Sequence, residues 1–425
     1  MASISLGLVW EPNTGRTAGP VSYAENRHIT LFGPTRSGKG VTLEIPNLLR
    51  LTGLSIISID PKGQNAAVTA RWRRTVGDVV ILNPLNLLAL GSAGFNPLVG
   101  VRSFEDAASI AEALIRIEGN DPHWTESARG LLLALIIWEV TTAYGAKRLP
   151  SLENVRGMLT GDLPAIAKRM VASGNFQIAS LAGRFMGDSR ELDSIKSTAD
   201  TQTRWLLSTP MRHDLAKNGV DFARLKDRPT TVYVILPAEL LETYSVWLRL
   251  VIACALNALY RRGGEGLRTL FLLSEFAQLG QLKPVAAALT QGAGYGVQLF
   301  PVLQDLNQLR KIYGKDEANT FLGMSGATFA FTPNDAETAE WMSKRSGDVM
   351  EPGLSASDDQ QIGARESWRI DRRRLYAPDD LYGIPEFHGL VWFAGRTQPV
   401  PVFAPPYWEI RDLAGRYDPD PYHRK

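Results

Sequence analysis

The chain has 425 residues, of which 44% are hydrophobic, and its formal net charge is only +2. A chain of this size and composition can bury a large core and has room for two domains. Because the net charge is near zero, affinity for nucleic acid must come from a local basic surface, not from the field of the whole protein. The single cysteine excludes a disulfide within the chain and a metal site built from several cysteines.

The apolar stretches of the sequence are short. None approaches the ~20 residues that a membrane-spanning helix needs, and the longest clear run is residues 131–138. The N-terminus lacks the basic and then apolar pattern of a signal peptide. We therefore expect a protein with no direct membrane span that is located in the cytoplasm.

A short strand followed by a glycine-rich loop dominates the first part of the chain. Residues 28–32 read as the strand, and Gly33, four further residues, Gly38 and Lys39 then have the spacing of a phosphate-binding loop. Glycine lets the backbone curl so that N–H groups face one anion, and a following helix adds the positive end of its dipole. The predicted nucleotide-binding residues here are Gly33, Pro34, Thr35, Arg36, Ser37, Gly38, Lys39, Gly40 and Val41.

Lys39 is the predicted catalytic residue of this loop, since the lysine of such loops reaches the β- and γ-phosphates of ATP. Gly40 departs from the general pattern, in which a Ser or Thr after the lysine holds Mg²⁺. The alternative is an ordinary glycine-rich turn between a strand and a helix. The strand before the loop, the helix after it and an acidic strand end further along favour nucleotide binding.

Residues 54–60 form the next predicted strand, whose continuous apolar centre is typical of a buried parallel sheet. Asp60 ends this strand, and Pro61 and Gly63 occupy the second and fourth positions of a predicted type I turn. Asp60 is either part of that turn alone or a further nucleotide contact, because ligands bind at the carboxyl ends of strands in open α/β sheets.

Two later strands also end in polar residues. The apolar strand 269–273 is followed by Ser274 and Glu275, and an acid at this position is predicted to hold the metal or to take a proton from attacking water. The alternative is a strand that ends in an exposed glutamate. Gln304 ends the strand 295–303 and is a predicted catalytic residue that reads the γ-phosphate or orients water. A capping amide at the start of the next helix is the alternative.

Helical patterns fill residues 104–227, where no strand is predicted. In residues 27–103 and 228–415, strands and helices alternate, which implies a mostly parallel sheet covered on both faces. We therefore predict an α/β fold in which these two stretches form one nucleotide-binding domain and the helical stretch is an inserted all-α domain. Residues 1–26 are predicted to form an N-terminal arm or edge hairpin, and residues 416–425 a disordered tail.

These motifs, in this order, resemble those of type IV coupling proteins of the TraG/TraD kind, the RecA-like P-loop motor ATPases of bacterial conjugation and type IV secretion. The resemblance covers residues 29–407, and Gly40 is common in this family. Beyond the phosphate loop, the matching segments are residues 45–48, 60–63, 95–98, 124–129, 272–277, 279–280, 335–339 and 343–344.

The resemblance implies ATP and Mg²⁺ as ligands and a homo-hexameric ring, in which an arginine of one subunit completes the nucleotide site of the next. Arg345 and Arg310 are the candidates for this arginine finger, with a surface salt bridge as the alternative for either. Single-stranded DNA would pass through the central channel, held through its phosphates and by stacking. The all-α domain would receive a relaxase–DNA complex or effector proteins for a type IV secretion channel, whose ATPases and inner-membrane components would be further partners.

The sequence departs from the family pattern in three places. The N-terminal membrane anchor that is common in the family is not found, so we expect a partner to recruit the protein to the inner membrane. Gln64 stands where a glutamate is frequent, and Ser274 where an aspartate is usual. With Gly40 also lacking a side chain, the predicted metal ligands are Ser274 and Glu275, with Asp60 as an alternative.

The predicted function is therefore that of an ATP-hydrolysing coupling protein that delivers its substrate to the channel and pumps DNA. The alternative is a catalytically weak or inactive adaptor that binds nucleotide and recruits secretion substrates. A double-stranded DNA translocase of the HerA/FtsK kind is a further alternative.

Overall fold

The computed structural model describes residues 3–116, 123–187, 189–357 and 365–423. The strands are β1 (Ile4–Glu11), β2 (Arg16–Tyr23), β3 (His28–Phe32), β4 (Ser55–Asp60), β5 (Asp78–Leu82), β6 (Thr230–Ile235), β7 (Thr269–Leu273), β8 (Val297–Leu303), β9 (Ser325–Phe331), β10 (Asp348–Ser357), β11 (Arg365–Arg374), β12 (His388–Phe393) and β13 (Val400–Phe403). The helices are α1 (Ile45–Arg50), α2 (Gln64–Val76), α3 (Phe104–Leu114), α4 (His123–Gly145), α5 (Leu152–Thr160), α6 (Leu163–Ala172), α7 (Phe176–Ala182), α8 (Arg190–Thr203), α9 (Thr209–Leu215), α10 (Leu241–Arg262), α11 (Lys283–Gln291), α12 (Leu306–Met324), α13 (Ala336–Ser346) and α14 (Pro378–Tyr382).

The first of two compact units comprises Met1–Leu51 and Phe300–Ala414. Its strands follow the order β2-β1-β13-β12-β9-β3-β8. Strand β3 pairs in parallel with β9 and β8, and all five of its residues are buried, as its apolar sequence requires. The strands beyond β9 are antiparallel to their neighbours. This arrangement places the carboxyl end of β3, where the phosphate-binding loop starts, in the middle of the parallel part.

The hairpins at the two ends of the chain extend this sheet. Strands β12 and β13 form a C-terminal hairpin, with Leu390 opposite Pro401. Strands β1 and β2 form an N-terminal hairpin, and β1 pairs with β13 so that Leu8 lies opposite Phe403. The predicted arm is thus the edge of the sheet. A separate antiparallel ribbon consists of β10 and β11.

The second compact unit comprises Thr52–Leu299 and Gly415–Lys425. Its strands follow the order β7-β4-β6-β5, and all three pairs are parallel. In the part of the chain that the structure describes, only helices and turns lie between β5 and β6, in agreement with the predicted helical stretch. These helices belong to the same compact unit as the four strands, however, and α3 packs against α10 within it. The bounds of the two compact units therefore differ from those of the predicted domains: the helical stretch shares a unit with β4 to β7, and β3 lies in the other unit.

Helix α10 is the core helix of this unit. With the turn before it, residues Ala238–Arg262, it is the single helix of the described residues that is long and apolar enough to cross a membrane. However, 72% of its most apolar window is buried inside the protein, and Trp247 and Leu250 are fully buried. This burial is typical of a core helix that is hydrophobic all round.

The C-terminal segment packs on helix α2, so the prediction of a disordered tail is wrong for residues 416–423. Arg71 forms an ion pair with Asp418 at 2.6 Å, and the guanidinium of Arg416 lies 4.8 Å from the centre of the Trp72 ring. Polar and proline residues give no hydrophobic signal in the sequence. Their order here comes from hydrogen bonds, an ion pair and a cation–π contact.

The same segment also covers the turn between β4 and α2. Asp420 is buried and accepts a hydrogen bond from Gln64 Nε2 at 2.7 Å. The hydroxyl of Tyr422 donates to the Lys62 carbonyl oxygen at 2.8 Å. A glutamate at position 64 would face the Asp420 carboxylate, so the amide is the side chain that fits this tail. Burial and then nearby carboxylates raise the pKa of Tyr422.

Candidate functional site

The phosphate-binding loop begins at the carboxyl end of the buried strand β3. The Gly33 N–H donates to the carbonyl oxygen of Leu303 in β8 at 2.9 Å, which fixes the point where the chain leaves the sheet. A Cβ atom on Gly33 would lie 2.7 Å from Ser37 Oγ and 2.9 Å from the Phe331 ring. A side chain at this position therefore has no room unless the loop moves.

The loop then curls through two residues with positive φ. Arg36 has a φ of 68° and Gly38 a φ of 84°, and a wide helical turn, Gly40–Glu44, leads into α1. When residues with positive φ alternate with residues of negative φ, successive N–H groups point to the same side of the loop. This arrangement can bind an anion. The ring of Phe387 lies 2.6 Å from where a Gly38 Cβ would be. The sequence contains no signal for this contact, because Phe387 is far along the chain and has no motif around it.

Lys39 folds back over its own loop. Its ammonium group donates to the carbonyl oxygens of Gly33 at 2.5 Å and Pro34 at 2.8 Å. The hydroxyl oxygen of Ser37 is buried and has no hydrogen-bond partner among the described residues. A positive charge, a buried hydroxyl and a loop with two residues of positive φ can all bind phosphate oxygens, so the residues present fit a bound nucleotide.

Gln304 lies beside this loop in the first unit. It directly follows Leu303, whose carbonyl oxygen binds the Gly33 N–H. Asp305 caps helix α12, because its side chain accepts a hydrogen bond from the Gln308 N–H at 2.8 Å. Gln304 is therefore not the capping residue of this helix. A contact between Gln304 and a γ-phosphate or water stays a prediction.

Asp60 is the last residue of β4, and Ser274 directly follows the neighbouring strand β7 of the second unit. Strands β4 and β7 are parallel, with Ile59 opposite Leu273, so these two residues leave the sheet at the same edge. Both are buried. One carboxylate oxygen of Asp60 accepts the Ala66 N–H at 2.8 Å, so Asp60 holds the start of α2 as well as the turn. Its role as a nucleotide contact stays a prediction.

Glu275 has an unusual backbone conformation. Its φ and ψ are 54° and 41°, in the left-handed region, which costs a residue other than glycine roughly 1–2 kcal/mol. The side chain is only partly buried. Strain of this kind persists where the surrounding structure imposes it and is frequent at functional sites. The conformation therefore supports a functional role for this residue.

The predicted metal ligands offer few donors. Among the described residues, no group of three or more His, Cys, Asp or Glu side chains is placed to hold a metal ion. Ser274 and Glu275 supply one hydroxyl and one carboxylate, and Gly40 supplies no side chain. Mg²⁺ in nucleotide sites takes most of its ligands from phosphates and water. One hydroxyl and one carboxylate fit that limited requirement.

The two candidate arginine fingers both have partners within the first unit. Arg310 pairs with Glu337. The guanidinium of Arg345 lies 5.3 Å from the centre of the Trp341 ring and 5.8 Å from that of Trp392, and burial lowers its pKa. A finger acts on a neighbouring subunit, so this role stays a prediction for both.

The predicted site residues divide between the two compact units. The loop residues Gly33–Val41, Gln304, Arg310 and Arg345 belong to the first unit, and Asp60, Ser274 and Glu275 belong to the second. Within the first unit, the structure places the backbone of Gln304 beside the loop. Within the second, it places Asp60 and Ser274 at one sheet edge. Common action of the two groups on one nucleotide stays a prediction.

We expect Gly33→Ala to weaken ATP binding by about 10-fold or more, because the added methyl group displaces Ser37 and the Lys39 side chain. Isothermal titration with a non-hydrolysable ATP analogue measures the effect. Gly19→Ala in β2 is the matched control, since a Cβ there meets nothing within 4 Å. Equal affinities for Gly33→Ala and the control would contradict this account of the loop.

Comparison with known proteins places the chain in a family. The profile of the family described as "Type IV secretory system Conjugative DNA transfer" matches residues 9–413. The chain belongs to this family. It is 27% identical to the conjugal transfer protein TraG of Escherichia coli in an alignment that covers 88% of this chain and 64% of that protein. It is also 27% identical to VirD4 of Agrobacterium fabrum in an alignment that covers 82% of this chain and 54% of VirD4.

The coupling protein thus spans somewhat more than half the length of these two relatives. Its fold is similar to that of the bacterial conjugative coupling protein TrwBdeltaN70, with a TM-score of 0.69 at 20% identity over 90% of this chain and 85% of that one. Further structures of TrwB hold a non-hydrolysable ATP analogue, with a TM-score of 0.67, and ADP with Mg²⁺, with a TM-score of 0.65. These findings confirm the predicted family and the RecA-like α/β fold.

Proposed function

We propose that this coupling protein binds and hydrolyses ATP at the loop Gly33–Val41. The observation that carries the proposal is the geometry of that loop. Its backbone has positive φ at Arg36 and Gly38, the Lys39 ammonium group is bound to two loop carbonyl oxygens, and the Ser37 hydroxyl is buried without a hydrogen-bond partner among the described residues. Relatives with the same fold are described with an ATP analogue and with ADP and Mg²⁺, which supports the same ligands here.

Each predicted residue has a separate role in this proposal. The loop N–H groups and Ser37 bind the phosphates, and Lys39 exchanges its two carbonyl partners for phosphate oxygens whose charge increases during transfer. Glu275 takes the proton of the attacking water, and Gln304 orients that water. Mg²⁺ would supply positive charge to the phosphates, with Ser274 as its candidate ligand and Glu275 as a second one where it does not act as the base.

We further propose that hydrolysis drives single-stranded DNA through a homo-hexameric ring, with Arg345 or Arg310 as the finger offered to the next subunit. A relaxase–DNA complex or effector proteins would dock on the helical stretch for delivery to a type IV secretion channel. The channel ATPases and inner-membrane components would hold the cytoplasmic protein at the membrane. The family described for conjugative DNA transfer supports these partners.

The test is an ATPase assay with Mg²⁺, with and without single-stranded DNA, paired with a mass measurement of the assembly. We expect hydrolysis that single-stranded DNA stimulates more than double-stranded DNA does. A preference for double-stranded DNA would favour a translocase of the HerA/FtsK kind. A protein that binds nucleotide and hydrolyses none in any oligomeric state would contradict the motor.

The adaptor is the second candidate because Gly40 and Ser274 give the metal a weaker donor set than the family pattern does. Ser274→Asp restores the usual carboxylate and decides between the two. Hydrolysis that appears in Ser274→Asp from an inactive parent would identify the natural protein as an adaptor. A parent that is already active favours the motor.

A further inference from the structure

The turn that follows Glu275 is well anchored, although Glu275 itself is strained. The Gln278 N–H donates to the Glu275 carbonyl oxygen at 2.9 Å, which closes the turn. Phe276 and Leu279 are both fully buried. The turn is therefore anchored to the core on one side, and its remaining carbonyl groups are available for further hydrogen bonds.

Two arginines bind those carbonyl groups: Arg116, which follows α3, and Arg249 of α10. Arg116 Nη2 donates to the Gln278 carbonyl oxygen at 2.9 Å. Arg249 of α10, which is buried, donates to the carbonyl oxygens of Leu279 at 2.6 Å and Gln281 at 2.9 Å. Hydrogen bonds from a charged donor are stronger than those between neutral groups, so these contacts fix the backbone on the carboxyl side of Glu275.

Arg116 is itself held by the helical stretch. It follows α3, and its backbone N–H and carbonyl group form a reciprocal pair of hydrogen bonds with the side chain of Gln202 in α8, at 2.6 and 3.0 Å. The carbonyl oxygen of the preceding Ile115 accepts from two nitrogen atoms of Arg129 in α4, at 3.2 and 3.0 Å. Arg129 ends the segment 124–129, a family motif that no nucleotide role explains. The position of Arg116 thus depends on α4 and α8.

We propose that Arg116 is a positioning residue for Glu275, through which the helical stretch sets the geometry of hydrolysis. This inference rests on the proposed ATPase function. The left-handed conformation of Glu275 is maintained only if its surroundings impose it, and the bond from Arg116 to Gln278 is one of those constraints. Arg116 acts on the turn and not on the nucleotide, so its loss affects the chemical step more than the binding of ATP.

The test compares Arg116→Ala, Arg116→Lys and Arg212→Ala in the full chain. We expect Arg116→Ala to lower kcat by about 10- to 100-fold, because a small displacement of a catalytic group has effects of this size, and to change KM for ATP by less than about twofold. Arg116→Lys keeps one charged donor for the Gln278 carbonyl oxygen and should recover part of the loss. Hydrogen exchange at residues 276–282 should be faster in Arg116→Ala.

Arg212→Ala is the matched control for a general loss of stability in the helical stretch. Arg212 of α9 is 37% exposed and pairs with Glu153 of α5 at 2.7 Å, and no hydrogen bond described for it reaches α4, α8 or the turn after Glu275. We expect its kcat and its exchange at residues 276–282 to match those of the unaltered protein. Equal losses in Arg116→Ala and Arg212→Ala would overturn the proposal, as would an Arg116→Ala variant without any loss.

The outcomes separate this inference from the proposed function. If the unaltered protein hydrolyses no ATP, the proposed ATPase function fails. Hydrogen exchange then tests only whether Arg116 holds the turn after Glu275. Faster exchange at residues 276–282 in Arg116→Ala supports the positioning contact in that case, and unchanged exchange overturns it. An active protein whose Arg116→Ala variant is equally active overturns the inference and leaves the ATPase intact.

Discussion

Lys39→Ala is expected to lower the rate of ATP hydrolysis by about 100-fold or more, because it removes the positive charge that faces the transferred phosphoryl group. In the structure, the Lys39 ammonium group is already inside the loop, bound to the carbonyl oxygens of Gly33 and Pro34. Phosphate oxygens are stronger acceptors for an ammonium group than these neutral carbonyl groups. A nucleotide would therefore draw Lys39 away from them without any large movement of the backbone.

Binding should weaken as well, since the lysine contacts the phosphates before and during the reaction. Titration with a non-hydrolysable ATP analogue and a steady-state ATPase assay measure the two effects separately. Lys311→Ala is the matched control, because Lys311 is an exposed lysine of helix α12 in the same unit. An active Lys39→Ala variant, or equal losses in both variants, would show that the loop is not the site of hydrolysis.

The parts of this fold that could be predicted are those with a local signal. The apolar runs of β3, β4 and β7 predict buried strands, and all their residues are buried. The loop spacing from Gly33 to Lys39 predicts the turn that follows β3. In each case, neighbours in the sequence are also the residues that form the feature, so a short window contains the information.

The parts that could not be predicted depend on residues that are distant in the sequence. The contact between Arg116 and the Gln278 carbonyl oxygen joins positions 162 residues apart. The polar tail residues Asp420 and Tyr422 bind Gln64 and the Lys62 carbonyl group, although their own composition indicates disorder. The sequence of one segment does not predict these contacts, because the partner of each residue lies in a distant segment and is brought close only when the chain folds.

The backbone strain at Glu275 allows the chemical role of its side chain to be separated from its structural role. Glutamine has nearly the same shape as glutamate but is a poor base, whereas glycine takes up the left-handed conformation without steric cost. If the glutamate side chain served only to stabilise the turn, its replacement by glycine would lower the stability of the protein. A side chain without that role can be replaced by glycine at a φ of 54° with stability unchanged or raised. A function that requires the carboxylate would be lost in both variants.

We therefore expect Glu275→Gln to keep ATP binding while the rate of hydrolysis falls by about 100-fold or more, the usual contribution of a general base. Glu275→Gly should be equally inactive but should unfold at the same temperature as the unaltered protein or at a higher one, because it relieves roughly 1 kcal/mol of strain. Glu239→Gln, which alters a carboxylate in the turn before α10, serves as the control and should remain active. An active Glu275→Gln variant would remove the general base from the mechanism, and a Glu275→Gly variant that unfolds at a clearly lower temperature would show that the side chain stabilises the turn.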